Sequence, residues 1–123
     1  MRIRKSSEDY LETMLVMQEK HGFIRSIDIA EHLGVTKPSV SVAVKRLREN
    51  GYITMSADSL ITLTDSGREI AEHIYERHKV LTDILIRLGV DEETARGDAC
   101  KIEHDISDST FQKLKQHLKE HVS

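Results

Sequence analysis

The sequence predicts a mainly α-helical fold, and three observations carry that expectation. Only 4% of the 123 residues are aromatic, and Leu, Ile, Val and Met supply most apolar positions, a composition that suits helices better than a β-sandwich. The apolar residues recur at helical spacing over most of the chain. Ser, Thr and Gly punctuate these stretches where helices start and stop.

The elements follow in order. Ser6 or Ser7 can cap a first helix that runs to about His21, with Tyr10, Leu11, Met14, Leu15 and Met17 on one side and Gly22 as its stop. Ser26 can cap a short helix through Ile27, Ile29, Ala30 and Leu33. Gly34 ends it in the position that tolerates positive φ, with Val35 as the expected buried spacer of a tight turn. Thr36 then caps a third helix. Pro38 falls in its first turn, where a missing N–H costs nothing. Val40, Val44 and Leu47 form its inner stripe, and Asn50-Gly51 closes it.

Two β-prone runs follow, residues 52–55 and 60–63, with a hairpin loop from Ser56 to Ser59 between them. A long helix is expected from Thr64-Asp65-Ser66, with Ser66 and Glu69 at capping-box spacing. It continues to about Leu88 and stops at Gly89. Ile70, Ile74, Leu81, Leu85 and Leu88 form its stripe, with His78 in register. A further helix is expected from Glu92 to Ile106. Ser107 or Ser109 caps a last one carrying Phe111, Leu114 and Leu118.

Helix, short helix, Gly-containing turn, basic helix and hairpin is the order of a winged helix-turn-helix. The chain is therefore read as a winged helix-turn-helix DNA-binding domain over 1–63 and a helical module over 64–123. Net charge is −3, which by itself speaks against a nucleic-acid partner. Its distribution speaks otherwise. Residues 36–55 sum to +3, and Arg2, Arg4 and Lys5 precede the first acid. Residues 90–108 sum to −5.

The third helix is expected to enter the major groove with its N-terminal residues near base edges. Its outer face offers Lys37, Ser39, Ser41, Val42, Lys45, Arg46 and Arg48. Cationic and hydroxyl groups position a protein on phosphates, while Pro38, Ser41 and the Val42 methyls are candidates for base contact. Thr36 begins the helix. Arg25 and Ser26 are further phosphate candidates, and Ser56 and Ser59 mark the tip of a weakly charged wing.

Several classes are disfavoured. Cys100 is the single cysteine, so there is no internal disulfide framework. No apolar run approaches the ~18 residues of a membrane span, and no apolar core follows the basic N-terminus. A cytoplasmic protein is expected.

Cys100, Glu103 and His104 stand at i, i+3 and i+4 and would share one helix face. A thiolate, a carboxylate and an imidazole together suit a first-row divalent cation. Asp9 and Glu12 form a second such pair on the first helix, and His78 is a titratable ring in an apolar stripe. Each has a plainer role. A cysteine can be a small buried hydrophobe. Glu103 and His104 can be a surface pair, Asp9 and Glu12 can suit a helix N-terminus, and His78 can bond a core carbonyl. No residue remains as a general base beside an open metal position, so an enzyme such as a metallohydrolase is not expected.

The chain resembles the diphtheria-toxin-repressor and manganese-transport-regulator family of metal-dependent bacterial repressors. The matching stretches are Ser7-Glu8-Asp9-Tyr10-Leu11-Glu12, Ile27-Asp28-Ile29-Ala30, Pro38-Ser39-Val40, Leu63-Thr64 with Gly67, Arg77-His78, Leu88-Gly89-Val90-Asp91, and Ile102-Glu103-His104 followed by Ser107. The resemblance implies a winged-helix DNA-binding domain, a helical dimerisation domain, a homodimer, and palindromic operators before metal-uptake genes. It also implies Asp9, Glu12, His78, Cys100, Glu103 and His104 as metal ligands.

Two departures make that set a hybrid. The manganese-type branch has Glu where this chain has Cys100, and the iron-type branch has Met where it has Asp9. An acid near Thr82 and a His near Arg96, needed for the iron branch's second site, are absent. The chain ends soon after Leu118, so the SH3-like third domain of iron-type members is not expected. The oxygen donors suit Mn(II) and Fe(II), and Cys100 pulls toward Fe(II), Co(II) or Zn(II). Fe(II) is the first expectation and Mn(II) the next, with Zn(II), Co(II) or Ni(II) binding in vitro. The alternative from another class is a metal-independent winged-helix regulator whose rear helices only dimerise.

Overall fold

The structure, a computed structural model, describes residues 5–121. Arg2 and Arg4, part of the expected basic N-terminus, lie outside them. The elements are α1 (Lys5–His21), α2 (Ser26–Leu33), α3 (Lys37–Glu49), β1 (Ile53–Met55), β2 (Ile61–Leu63), α4 (Asp65–Arg87), α5 (Glu92–Ile102) and α6 (Asp108–Glu120). They divide into two compact units, residues 1–72 and 73–123.

In the first unit, α1 to α3 bury Leu11, Met14, Leu15, Ile24, Ile29, Val40, Val44 and Leu47. The hairpin pairs Ile53 with Leu63, Thr54 with Thr62 and Met55 with Ile61. Two strands alone are marginal in water. Here Ile53, Ile61 and Leu63 are buried, and Ile61 N–H donates to the Ile24 carbonyl at 3.0 Å, tying the hairpin to the α1–α2 connection. Ser56 closes the wing: its carbonyl accepts from Ser59 N–H and its hydroxyl from Leu60 N–H.

The helix signals hold with local changes. Gly34 takes φ 67° at the end of α2, and the Gly34 and Val35 amides return to the Ala30 carbonyl. Thr36 caps α3 by accepting from Ser39 N–H. Four expectations are corrected. Arg25 rather than Ser26 occupies the N-cap of α2, with no side-chain cap bond, because the chain stays extended through Arg25. Val35 is 38% exposed rather than buried; its amide, not its side chain, is what the turn engages, at the Ala30 carbonyl. Thr64 rather than Ser66 caps α4: its hydroxyl accepts from Gly67 N–H and donates to the Gly51 carbonyl at 2.7 Å. Leu88 is 76% exposed, because α4 ends at Arg87 and its buried stripe ends at Leu81.

The first turns of α4 belong to the first unit by close approach. A Cβ on Gly67 would sit 2.0 Å from the Tyr52 carbonyl oxygen, and Thr64 N–H already donates to that oxygen. Ala71, one turn on, is fully buried.

In the second unit, α5 ends at Ile102 rather than Ile106, and Asp91 caps it through the Thr94 amide. Ser107 caps α6. Arg77 of α4, 7% exposed, organises the turn between them. It donates to the carbonyls of Glu103 (3.2 Å) and Ile106 (2.7 Å), pairs with Asp108, and lies over the Phe111 ring. Carbonyls beyond a helix end need such partners. Lys115 and Glu76 add a bond between α6 and α4 at 3.0 Å.

These contacts make two glycine substitutions unequal. Gly67→Ala drives a methyl into backbone and should cost about 3 kcal/mol or more. Gly34→Ala meets open space and only the left-handed backbone, about 1 kcal/mol. Urea unfolding of both variants checks the order.

Candidate metal centre and nucleic-acid interface

The candidate metal centre is built from α4 and the end of α5. Ala95, Ala99 and Glu103 recur four apart, and all three are fully buried. The helical hydrogen bond from Glu103 N–H to the Ala99 carbonyl carries the residue onto that buried stripe. A carboxyl group is thus placed at an inner position that Ala would otherwise hold. Burying such a group is costly unless cations or donors surround it.

Its partners are close. His78 Nδ1 donates to Glu103 Oε2 at 2.9 Å and lies 3.8 Å from Cys100 Sγ. One ligand atom each from His78, Cys100 and Glu103 lies within 4.8 Å of the others. The second oxygen, Oε1, accepts no hydrogen bond among the described residues and lies 3.5 Å from His104 Nε2. The His104 side chain is almost wholly buried.

Hydrogen bonds to Cys100 and Glu103 push His78 up to about 10, with Coulombic attraction to both adding to the shift and partial burial opposing it. At neutral pH the ring is therefore an imidazolium. Its Nδ1 proton lies between a sulfur and a carboxyl oxygen.

Imidazole nitrogen, sulfur and carboxyl oxygen are donors that a first-row divalent ion accepts. The buried Glu103 oxygen without a hydrogen-bond donor is what such an ion would neutralise, so the residues fit a metal.

The plainer roles give way at three places. Cys100 is exposed rather than a buried hydrophobe. Glu103 and His104 are buried rather than a surface pair. His78 bonds a carboxyl group rather than a core carbonyl. The expected shared face changes too. Glu103 and His104 lie just past the last residue of α5, and Cys100 meets Glu103 together with His78. In the first unit, Asp9 and Glu12 stand one turn apart on α1, both half-buried. The sequence reading missed Arg77 as the residue that holds the Glu103 carbonyl. A basic residue directly before His78 was its only signal.

The helix expected to read DNA is α3. Thr36, Lys37, Pro38, Ser39, Ser41, Val42, Lys45, Arg46 and Arg48 are all exposed, while Val40, Val44 and Leu47 are buried. Val42 is 59% exposed, and Ile27 on α2 is 48% exposed. Thr36 donates its hydroxyl proton to Ser39 Oγ at 2.9 Å, so the two hydroxyls act as a pair. A shallow hollow between α2 and α3 is lined by Ser26, Ile27, Lys37, Val40 and Ser41. Arg25 is exposed, with its guanidinium 4.8 Å from the Phe23 ring centroid. This cation–π contact limits its rotamers, and the sequence reading had not singled out Phe23. Ser56 and Ser59 are exposed at the wing. No helix among the described residues is long and apolar enough to cross a membrane.

Comparison with known proteins agrees with both halves. Residues 3–59 match the family model "Iron dependent repressor, N-terminal DNA binding domain", and residues 64–122 match "Iron dependent repressor, metal binding and dimerisation domain". The chain is 34% identical over 118 residues to the transcriptional regulator MntR of Escherichia coli O157:H7, covering 96% of this chain and 76% of that protein. It is 34% identical over 109 residues to the HTH-type transcriptional regulator MntR of Bacillus subtilis strain 168, covering 89% and 77%. Among solved structures, a manganese-dependent transcriptional repressor in complex with manganese superposes with a TM-score of 0.83 at 29% identity, covering 92% of this chain and 52% of that one. The manganese regulator SloR superposes with a TM-score of 0.82 at 28% identity, and the chain spans 55% of its length. The family's members are transcriptional regulators rather than enzymes. With both of its domain models matched along the chain, this protein belongs to the diphtheria-toxin-repressor and manganese-transport-regulator family of metal-dependent transcriptional repressors.

Proposed function

We propose that the protein is a homodimeric repressor of metal-uptake genes that binds palindromic operators with Fe(II) or Mn(II) as corepressor. One observation carries the reading. An imidazole, a thiol and a buried carboxyl group converge within the part of the chain that matches a metal-binding domain. The proposed ligands are His78, Cys100, Glu103 and His104, with Asp9 and Glu12 completing the set. Cys100 favours Fe(II), and the oxygen donors favour Mn(II). A solved neighbour is a manganese-dependent repressor holding manganese.

A bound divalent cation supplies positive charge to a carboxyl-rich donor set. The chain's own residues prepare for it. His78 holds a proton at Nδ1, the atom nearest both Glu103 Oε2 and Cys100 Sγ. Arg77 fixes the backbone of Glu103. Ligands drawn from both domains link ion occupancy to operator affinity, and DNA tightens the ion by the same factor.

On DNA, Lys37, Lys45 and Arg46 serve phosphates, joined by Arg25, Ser26, Thr36, Ser39, Ser56 and Ser59. Pro38, Ser41 and Val42 face base edges. The first amides of α2 lack a side-chain cap and suit a phosphate oxygen. In the second unit, Ile86, Leu88 and Ile102 are exposed apolar side chains for a partner copy to cover.

Three outcomes test this. Operator binding, measured anaerobically with and without Fe(II) or Mn(II), should tighten at least tenfold with metal in the wild type and not in Glu103→Ala. Equal binding in every sample would leave a metal-independent regulator.

Metal binding should also release the His78 proton. Because the ring's folded value, about 10, exceeds its ordinary 6.5, its stabilising pair is complete below about pH 6.5. That stability is lost as pH rises toward 10 in the metal-free protein. Metal affinity should rise over the same window, since the ion needs the neutral ring. Calorimetry at pH 7 in two buffers of different ionisation enthalpy should count more protons released by the wild type than by His78→Gln.

On the DNA side, Lys45→Ala and Arg46→Ala should each lower the salt dependence of binding by about one counterion. Val42→Ala should leave that slope unchanged and relax sequence preference.

A further inference from the structure

The last turn of α6 carries a pair of side chains that neither the DNA-reading face nor the metal centre uses. His117 and His121 are four residues apart, a spacing that places both on one helix face. Their rings stack with centroids 4.0 Å apart and 27° between planes. Both residues are exposed. His121 Nδ1 donates to the His117 carbonyl at 2.9 Å. That bond selects the tautomer, placing the proton on Nδ1 and leaving Nε2 as the ring's acceptor.

A cation near the helix C-terminus would be served by charge alone, and Lys119 already supplies it in the same turn. Two imidazoles in register, one with its tautomer set by backbone, are a chelating arrangement instead. Glu120, between them, is engaged by Gln116 Nε2 at 3.1 Å. No third protein ligand joins the pair among the described residues.

We propose that His117 and His121 form a second, solvent-accessible divalent-metal site, with two imidazole nitrogens from the protein and water in the remaining positions. Nitrogen donors without carboxylates suit Ni(II), Cu(II) and Zn(II) and serve Mn(II) poorly. The site is thereby opposite in selectivity to an oxygen-rich centre, and it does not depend on that centre. An ion held by residues 117 and 121 binds the closed last turn better than a frayed one, so it stabilises the end of α6.

The test is titration of the full chain with Ni(II), and separately with Mn(II). Wild type, His117→Gln, His121→Gln and Lys119→Gln are compared, with bound equivalents counted by calorimetry and helix content read by circular dichroism. All three positions are exposed, and unchanged metal-free spectra confirm folding. Wild type and Lys119→Gln should bind one more equivalent of Ni(II) than either His variant, or bind it at least tenfold more tightly. That equivalent should raise helix content, and Mn(II) should show no difference among the four proteins. The same Ni(II) count and affinity in all four overturns the proposal, as does a Mn(II) equivalent lost with the rings.

Discussion

The second unit is organised around a carboxyl group held away from water. Glu103 has no exposed surface, and its two oxygens face different rings: Oε2 accepts a hydrogen bond from His78, and Oε1 lies beside His104. Interior positions rarely tolerate such a group without compensation. The surrounding features follow from that requirement. Ala95 and Ala99 keep small side chains on the stripe that leads to it. Arg77 secures its carbonyl and, through Ile106 and Asp108, the start of α6. His78 is driven to the imidazolium by the same pair of neighbours that would share an ion with it.

In the metal-free chain a proton on Nδ1 does part of what a cation would do. It offsets negative charge at one carboxyl oxygen and lies near the sulfur. It cannot serve Oε1, which accepts no hydrogen bond among the described residues.

The DNA-reading unit depends on a different constraint, the close approach of α4 to the strand entry. Thr64 binds the Gly51 carbonyl, and Gly67 lies against Tyr52 with no room for a side chain. That contact anchors the wing beside α3. The face of α3 that stays exposed is the basic and hydroxyl-bearing one, because Val40, Val44 and Leu47 turn inward. The net charge of −3 concealed this local polarity.

Much of this was legible in the residues. Apolar spacing and the Thr36, Gly34 and Ser107 signals placed the helices, since caps and left-handed stops are local chemistry. Spacing alone marked Glu103 and His104 and the exposed face of α3. Contacts distant in sequence were not legible. His78 meets Glu103 twenty-five residues away, and Arg77 reaches Ile106 across twenty-nine. The early end of α5, the exposure of Leu88 and Val35, and the cap at Thr64 were likewise settled by packing against other elements. Local sequence determined which segments are helical and which side chains carry charge. The tertiary structure decided which groups lose water and which meet, and it set a buried glutamate against a half-buried histidine and an exposed cysteine as a candidate metal centre.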